Sequence, residues 1–268
     1  RRVRVLVASG AVGALQSHAA SVVVARAFQA EGAEVAVVDL EASWPAPSTL
    51  DALADVLAGG ADVVDLRQLA FHLADAERAA QAIAGHRFVA VVADSNVEVP
   101  LTGLAGTAVQ RSRERGEDLA AGLDADAQAR EWLTELGVQD GAGVGAVDGL
   151  GALLLREDVR LISALDLTVD RTGFAETATQ ADLIVTGCTD LDFHTRGGPL
   201  VERVVRIAEE ALRPVIVVCG RNFVSSRELR LSGIEAAHAV HTGDDPRTVE
   251  ERDLAALAER VARTWRFR

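Results

Sequence analysis

The densest run of polar residues is Thr186-Gly187-Cys188-Thr189-Asp190-Leu191-Asp192-Phe193-His194-Thr195. Asp190, Asp192 and His194 alternate, so an extended chain puts all three on one side. Two carboxylates and an imidazole could hold a divalent metal there. A loop whose side chains cap its own backbone is the plainer reading. Cys188 shows no basic partner or helix start that would activate its thiol, and it reads as structural. Earlier, Ser9-Gly10-Ala11-Val12-Gly13-Ala14 places glycines between a strand and a helix start, where backbone N–H groups can cradle an anion. The spacing is neither G-x-G-x-x-G nor a Walker motif, and a tight turn alone explains it. Asp94-Ser95-Asn96 follows a buried strand directly, placed either to face a ligand or to cap a turn. Asp39 and Glu41 end another strand, where an acid can bond a ribose or simply be solvated. His238 and His241 read as surface residues. Arg111-Ser112-Arg113-Glu114-Arg115 reads as a solvated helix or loop, with a phosphate-binding patch as the alternative.

Composition removes whole classes of chemistry. All 27 basic residues are arginine, and the chain has no lysine. A P-loop and a protein kinase both need a lysine on the phosphates, and Schiff-base enzymes need its amine. A net charge of −13 disfavours binding to nucleic acid and to anionic membranes. Two cysteines, Cys188 and Cys219, make no disulfide framework and fit a reducing cytoplasm. No apolar run approaches the roughly 18 residues of a membrane span. The start, Arg1-Arg2-Val3-Arg4, leads into an apolar run without the small-residue pattern of a cleaved signal.

The elements that must position these residues alternate between strand and helix. Apolar runs predict strands at 3–8, 34–40, 63–66, 88–93, 161–165, 183–185 and 215–218. Helical spacing predicts helices from Leu15 to about Gly32, from a Ser48 cap to about Ala58, and over 69–83. Two more are predicted, after Pro199 and near the C-terminus. Strands apolar at nearly every position are buried on both faces. Alternation with helices implies a parallel sheet. The expected fold is α/β: one doubly wound, mostly parallel Rossmann-like or flavodoxin-like sheet with helices on both faces. Its ligand position lies beyond the carboxyl ends of the strands. With no linker or repeat, a single domain over 1–268 is expected.

The segment from Gly141 to Gly220 resembles the bacterial glycerate kinases. The residues that carry the likeness are Gly141-Ala142-Gly143 with Gly149-Leu150-Gly151-Ala152, then Ala181-Asp182-Leu183-Ile184-Val185-Thr186-Gly187, then Asp192, Thr195 and Gly198, then Pro214-Val215-Ile216-Val217-Val218-Cys219-Gly220. Upstream, Ala93-Asp94 and Pro100-Leu101-Thr102-Gly103 are similar to the family's Cys-Asp-Val-x-Asn-Pro-Leu-Thr-Gly stretch. Gly13-Ala14-Leu15-Gln16-Ser17 is similar to its first glycine turn. The order is kept along most of the chain. The resemblance implies ATP- and magnesium-dependent phosphorylation of glycerate on a two-domain α/β architecture.

The chain departs from that pattern in four places. Ser9-Gly10-Ala11-Val12 stands where the family carries an acid and a lysine. Glu41 to Thr49 replaces an acidic glycine-rich loop. Thr186 to Asp192 lacks the family's Glu and Arg. The chain is also shorter, and the family's inserted second domain is expected to be absent near 65–88. Phosphoryl transfer rests on positioning and on cations that neutralise charge. The sequence therefore predicts a glycerate kinase-like protein that has lost efficient catalysis, a pseudoenzyme, and leaves open whether it is an enzyme at all. The alternative is a non-catalytic protein that binds a small ligand or a partner. Asp94 and Asp192 are the expected catalytic pair. Ser9, Gly10, Gly13, Asn96, Thr186, Gly187, Thr195 and Gly198 are the expected ligand- or phosphate-binding set, with Asp190 and Asp192 for a metal. The expected partners are a small anionic metabolite and, through an apolar patch left by the lost domain, a second copy of the chain.

Overall fold

The computed structural model describes residues 2–265, so Arg1 and the last three residues lie outside it. The chain begins with β1 (Arg4–Val7), α1 (Ser17–Ala30) and β2 (Glu34–Val37). The middle segment carries α2 (Leu50–Ala58), β3 (Val63–Asp65), α3 (Ala76–Ile83), β4 (Val89–Val92), α4 (Thr107–Glu114), α5 (Leu119–Leu136), α6 (Leu150–Arg156) and β5 (Arg160–Ser163). The chain then runs through α7 (Ala164–Thr172), α8 (Phe174–Gln180), β6 (Leu183–Leu191), α9 (Pro199–Glu210) and β7 (Val215–Asn222). It finishes with α10 (Ser226–Leu231), β8 (Ala236–His241) and α11 (Glu251–Thr264).

The mostly parallel α/β reading holds. The chain divides into two compact units. One joins the segment before Ser43 to the segment from Thr168 onward; the other is Ser43–Leu167. Each has its own sheet, of order β2-β1-β6-β7-β8 in the first and β3-β4-β5 in the second. All pairings within both are parallel. Strand and helix alternate without interruption across both boundaries, so no change of composition marks where the chain leaves one sheet for the other.

The first unit is doubly wound. From β1 the chain moves outward to β2, whereas from β6 it moves the other way through β7 to β8. Val5, Val7, Leu183, Val185, Ile216 and Val218 line one face and bury the apolar stripes of α1 and α11. α8 packs on β1, and α9 on β6. In the second unit, Leu53, Val64, Phe71, Ile83, Ala90, Leu150 and Leu153 form the main core.

Several boundaries differ from the periodicity. Thr49, not Ser48, caps α2, accepting from the Ala52 N–H at 3.2 Å. The helix expected over 69–83 starts only at Ala76; Leu69 and Phe71 are buried from a loop instead. The strand expected over 161–165 stops at Ser163, and α7 begins at the next residue. β6 and β7 outrun their apolar cores, reaching Leu191 and Asn222. His238 and His241 are not simply surface residues: they belong to β8, and the Nε2 of each is buried. Burial pulls the His238 pKa down. Among the described residues, no helix is long and apolar enough to cross a membrane.

Candidate functional site

In a doubly wound sheet a ligand position opens where two adjacent strands send their chains in opposite directions. In the first unit that point lies at the carboxyl ends of β1 and β6. The sequence-predicted Ser9, Gly10, Gly13, Thr186, Gly187, Asp190 and Asp192 all lie on or just beyond these two strands.

The turn after β1 is held from inside. Ser9 N–H donates to Ser21 Oγ at 2.9 Å, Gly10 N–H to Gly187 O at 2.9 Å, and Gly13 N–H to Thr189 Oγ1 at 3.0 Å. Val12 N–H donates to Leu15 O and Ala14 N–H to Val249 O. These donors serve the protein, so the turn is held as a structural joint, in keeping with the tight-turn reading. Gly187 is required by closeness. A Cβ there would strike Ser9 Oγ and stand 2.8 Å from Val218 O. Gly13 needs its left-handed φ of +58°, and a Cβ would run into Val249. Thr186 is fully buried within β6, and its Oγ1 has no partner among the described residues; the same holds for the buried Ser17 Oγ in the first turn of α1. A buried hydroxyl without a partner is uncommon.

The carboxylates of β6 are also engaged. Asp190 accepts from Arg221 Nε at 2.7 Å and Nη2 at 2.8 Å, a bidentate pair between in-register residues of β6 and β7. Asp190 raises the Arg221 pKa. Arg221 also lies over the Phe223 ring, 5.7 Å from its centre. Asp192 turns back on its own loop. Its Oδ1 accepts from the N–H groups of His194 at 2.8 Å and Thr195 at 2.7 Å, and its Oδ2 from Thr195 Oγ1 at 3.0 Å. Bonding from Thr195, backbone first, lowers the Asp192 pKa. Gly198, with φ of +91°, is the N-cap residue of α9, and its N–H donates to Thr195 O at 2.7 Å. Asp192, Thr195 and Gly198 thus share one tight turn. The metal expected on Asp190 and Asp192 meets one carboxylate already paired and one already folded onto its backbone. Among the described residues, no group of three or more His, Cys, Asp and Glu could hold a metal ion. Cys188 is buried, and burial followed by the charges of Asp190 and Asp192 pushes its thiol up to about 12, as a structural thiol requires.

Asp94 and Asn96 belong to the second unit, in a single 3-10 turn after β4. Asn96 Nδ2 donates to Ser95 Oγ at 3.2 Å. Asp94 is exposed, and its carboxylate makes no hydrogen bond or ion pair among the described residues. The most heavily used carboxylate of this unit, Asp140, escapes the sequence reading. It accepts from the N–H groups of Leu101 at 2.9 Å, Thr102 at 2.9 Å and Gly141 at 3.0 Å, and from Thr102 Oγ1 at 2.6 Å. Burial alone would raise its pKa; the bonds from Thr102, Leu101 and Gly141 outweigh it, and the net shift is downward. Arg221 escapes as well, because only the strand register sets it opposite Asp190.

A doubly wound parallel sheet with a tight glycine turn between β6 and α9 defines an α/β protein of the kind that holds small ligands at its strand ends. The glycerate kinase family model matches residues 50–266, and the chain belongs to that family. The matched span leaves out β1 and the turn after it. An uncharacterized protein of Mycobacterium bovis is 34% identical over 158 residues, covering 57% of this chain and 42% of that protein. A glycerate kinase of Halalkalibacterium halodurans is 30% identical over 152 residues, covering 54% of this chain and 40% of the kinase. The matched part thus spans less than half the length of these curated relatives. The crystal structure of a putative glycerate kinase 2 from Salmonella typhimurium LT2 shares the fold, with a TM-score of 0.68 at 15% identity over 98% of each chain.

Proposed function

We propose that this chain keeps the glycerate kinase fold while having lost efficient phosphoryl transfer, and that it binds a small anionic metabolite. One observation carries the reading: Asp190 and Asp192, the carboxylates at the family's Thr-Gly loop, are both consumed by bonds within the protein. ATP and magnesium are what the family implies; with those carboxylates spent and lysine absent, the strand-end residues offer no seat for them. The unpartnered hydroxyls of Thr186 and Ser17 support a small polar ligand in the first unit. The absence of the family's inserted domain near 65–88 belongs to the same reading, and the greater length of the relatives supports it. Two free buried thiols support a cytoplasmic setting. The exposed Phe193 and Leu231 support a homodimer, which light scattering would detect.

The second reading is a residual kinase. Asp94 favours it, because an exposed carboxylate without a partner is free to take a proton from a substrate hydroxyl. Coupled ATP turnover with glycerate separates the two. The first reading expects no turnover, together with a thermal shift from glycerate alone. Turnover that Asp192→Ala abolishes would overturn it in favour of the kinase.

A further inference from the structure

We propose that a cavity in the unit Ser43–Leu167 binds a small organic acid with an apolar carbon skeleton, its carboxylate taken by Arg111 and Arg115. The cavity has a volume of about 360 Å³, within the range of small-molecule sites. Its apolar wall includes Phe71, Leu101 and Ala129, all buried in the fold. Arg111 and Arg115 stand four residues apart at the end of α4, so their side chains share one helix face. This inference is independent of the proposed function, because none of the strand-end residues of β1 or β6 lines the cavity.

The arginines are held from one side and open on the other. Arg111 donates Nε to Asp148 and Nη1 to Glu114, the latter at 2.8 Å. Arg115 donates Nε and Nη2 to Glu117 at 2.8 and 3.1 Å. Among the described residues this leaves Arg111 Nη2 and Arg115 Nη1 without a protein partner. Two fixed guanidinium edges on one helix face suit a planar carboxylate. Glu117 fills the Nε–Nη2 side of Arg115, and Nη1 stays open toward the cavity's ligand.

The backbone supports the assignment. Val147 has φ of +48° and Asp148 φ of +58°, a left-handed pair just before Gly149. A β-branched valine is strained there, and such strain persists where the surroundings impose it, often at ligand sites. Its product is the placement of Asp148, a residue of the cavity wall, on Arg111. The strained run thus fixes the guanidinium that the carboxylate would meet.

Calorimetric titration of the full chain tests this with 4-methylpentanoate, its uncharged amide 4-methylpentanamide, and inorganic phosphate. The acid should bind, and the amide should bind at least about tenfold more weakly, as the loss of a charge-assisted pair requires. Arg111→Gln should weaken the acid by a similar factor. Because that variant also releases Asp148, Arg115→Gln provides a second reading, since among the described residues its side chain bonds only Glu117, at the surface. Ala125→Leu, which adds bulk to the cavity wall, should block acid and amide alike. Three results would overturn the proposal: acid and amide of equal affinity, unchanged acid binding in Arg115→Gln, or no acid binding at millimolar concentration. Phosphate binding as tight as the acid would remove the apolar skeleton from the assignment and overturn it as stated.

Discussion

Asp190 on β6 and Arg221 on β7 are register partners, and they meet through two hydrogen bonds of 2.7 and 2.8 Å. Adjacent parallel strands bring the two side chains out on the same face, just where the apolar parts of both strands end. The pair closes that end of the sheet.

Breaking this pair should cost little stability but should couple clearly. Both side chains are about one-third exposed, so Arg221→Ala and Asp190→Ala should each cost little stability. The double variant should lose less than the sum, measured by urea unfolding. Strict additivity would mean that the two groups do not interact in solution.

Gly187→Ala should be far more damaging. The added Cβ meets Ser9 Oγ and the backbone carbonyl of Val218, and a strand carbonyl cannot move aside cheaply. A loss of about 1–3 kcal/mol is expected from overpacking of this kind. Gly141→Ala, where a Cβ would meet open space, is the control and should change stability by no more than about 0.5 kcal/mol.

Asp140 should make the second unit acid-sensitive. Its folded pKa lies below the unfolded value of about 3.9, so its contribution is complete above that value. As pH falls from about 4 through the lower folded value, that contribution is lost. Asp140→Asn should flatten the stability curve over this window, read by urea unfolding at a series of pH values. Asp140→Ala should cost about 2–4 kcal/mol, because it strands the N–H groups of Leu101, Thr102 and Gly141.

His238 acts in a different window. Burial lowers its folded pKa, so between the unfolded value of about 6.5 and the folded one the unfolded chain holds more protons. Stability should therefore fall as pH drops through that interval, and His238→Gln should remove that part of the slope. An unchanged slope, followed by thermal unfolding between pH 7 and 5, would show that the ring is solvated.

Filling the core of the first unit should matter more than any surface charge. Phe174 is fully buried at the start of α8, and Phe174→Ala should cost about 3–5 kcal/mol by chemical denaturation.

The sequence by itself determined the α/β class, most strands and the family. Those features rest on local periodicity and on motifs such as Ala181 to Gly187 and Pro214 to Gly220, which carry their meaning wherever they fold. It also placed Asp192, Thr195 and Gly198 in one segment, and the structure gathers them into one turn. Tertiary structure decided the rest. The split into two sheets depends on which strands pair, and parallel partners such as β1 and β6 are brought together from opposite ends of the chain. The bond from Asp190 to Arg221 depends on register, and a shift of one residue would turn either side chain to the other face. From its glycines the turn after β1 reads either as an anion cradle or as a tight turn. Only the fold shows that Gly187, Thr189 and Val249, distant in sequence, supply acceptors for its N–H groups.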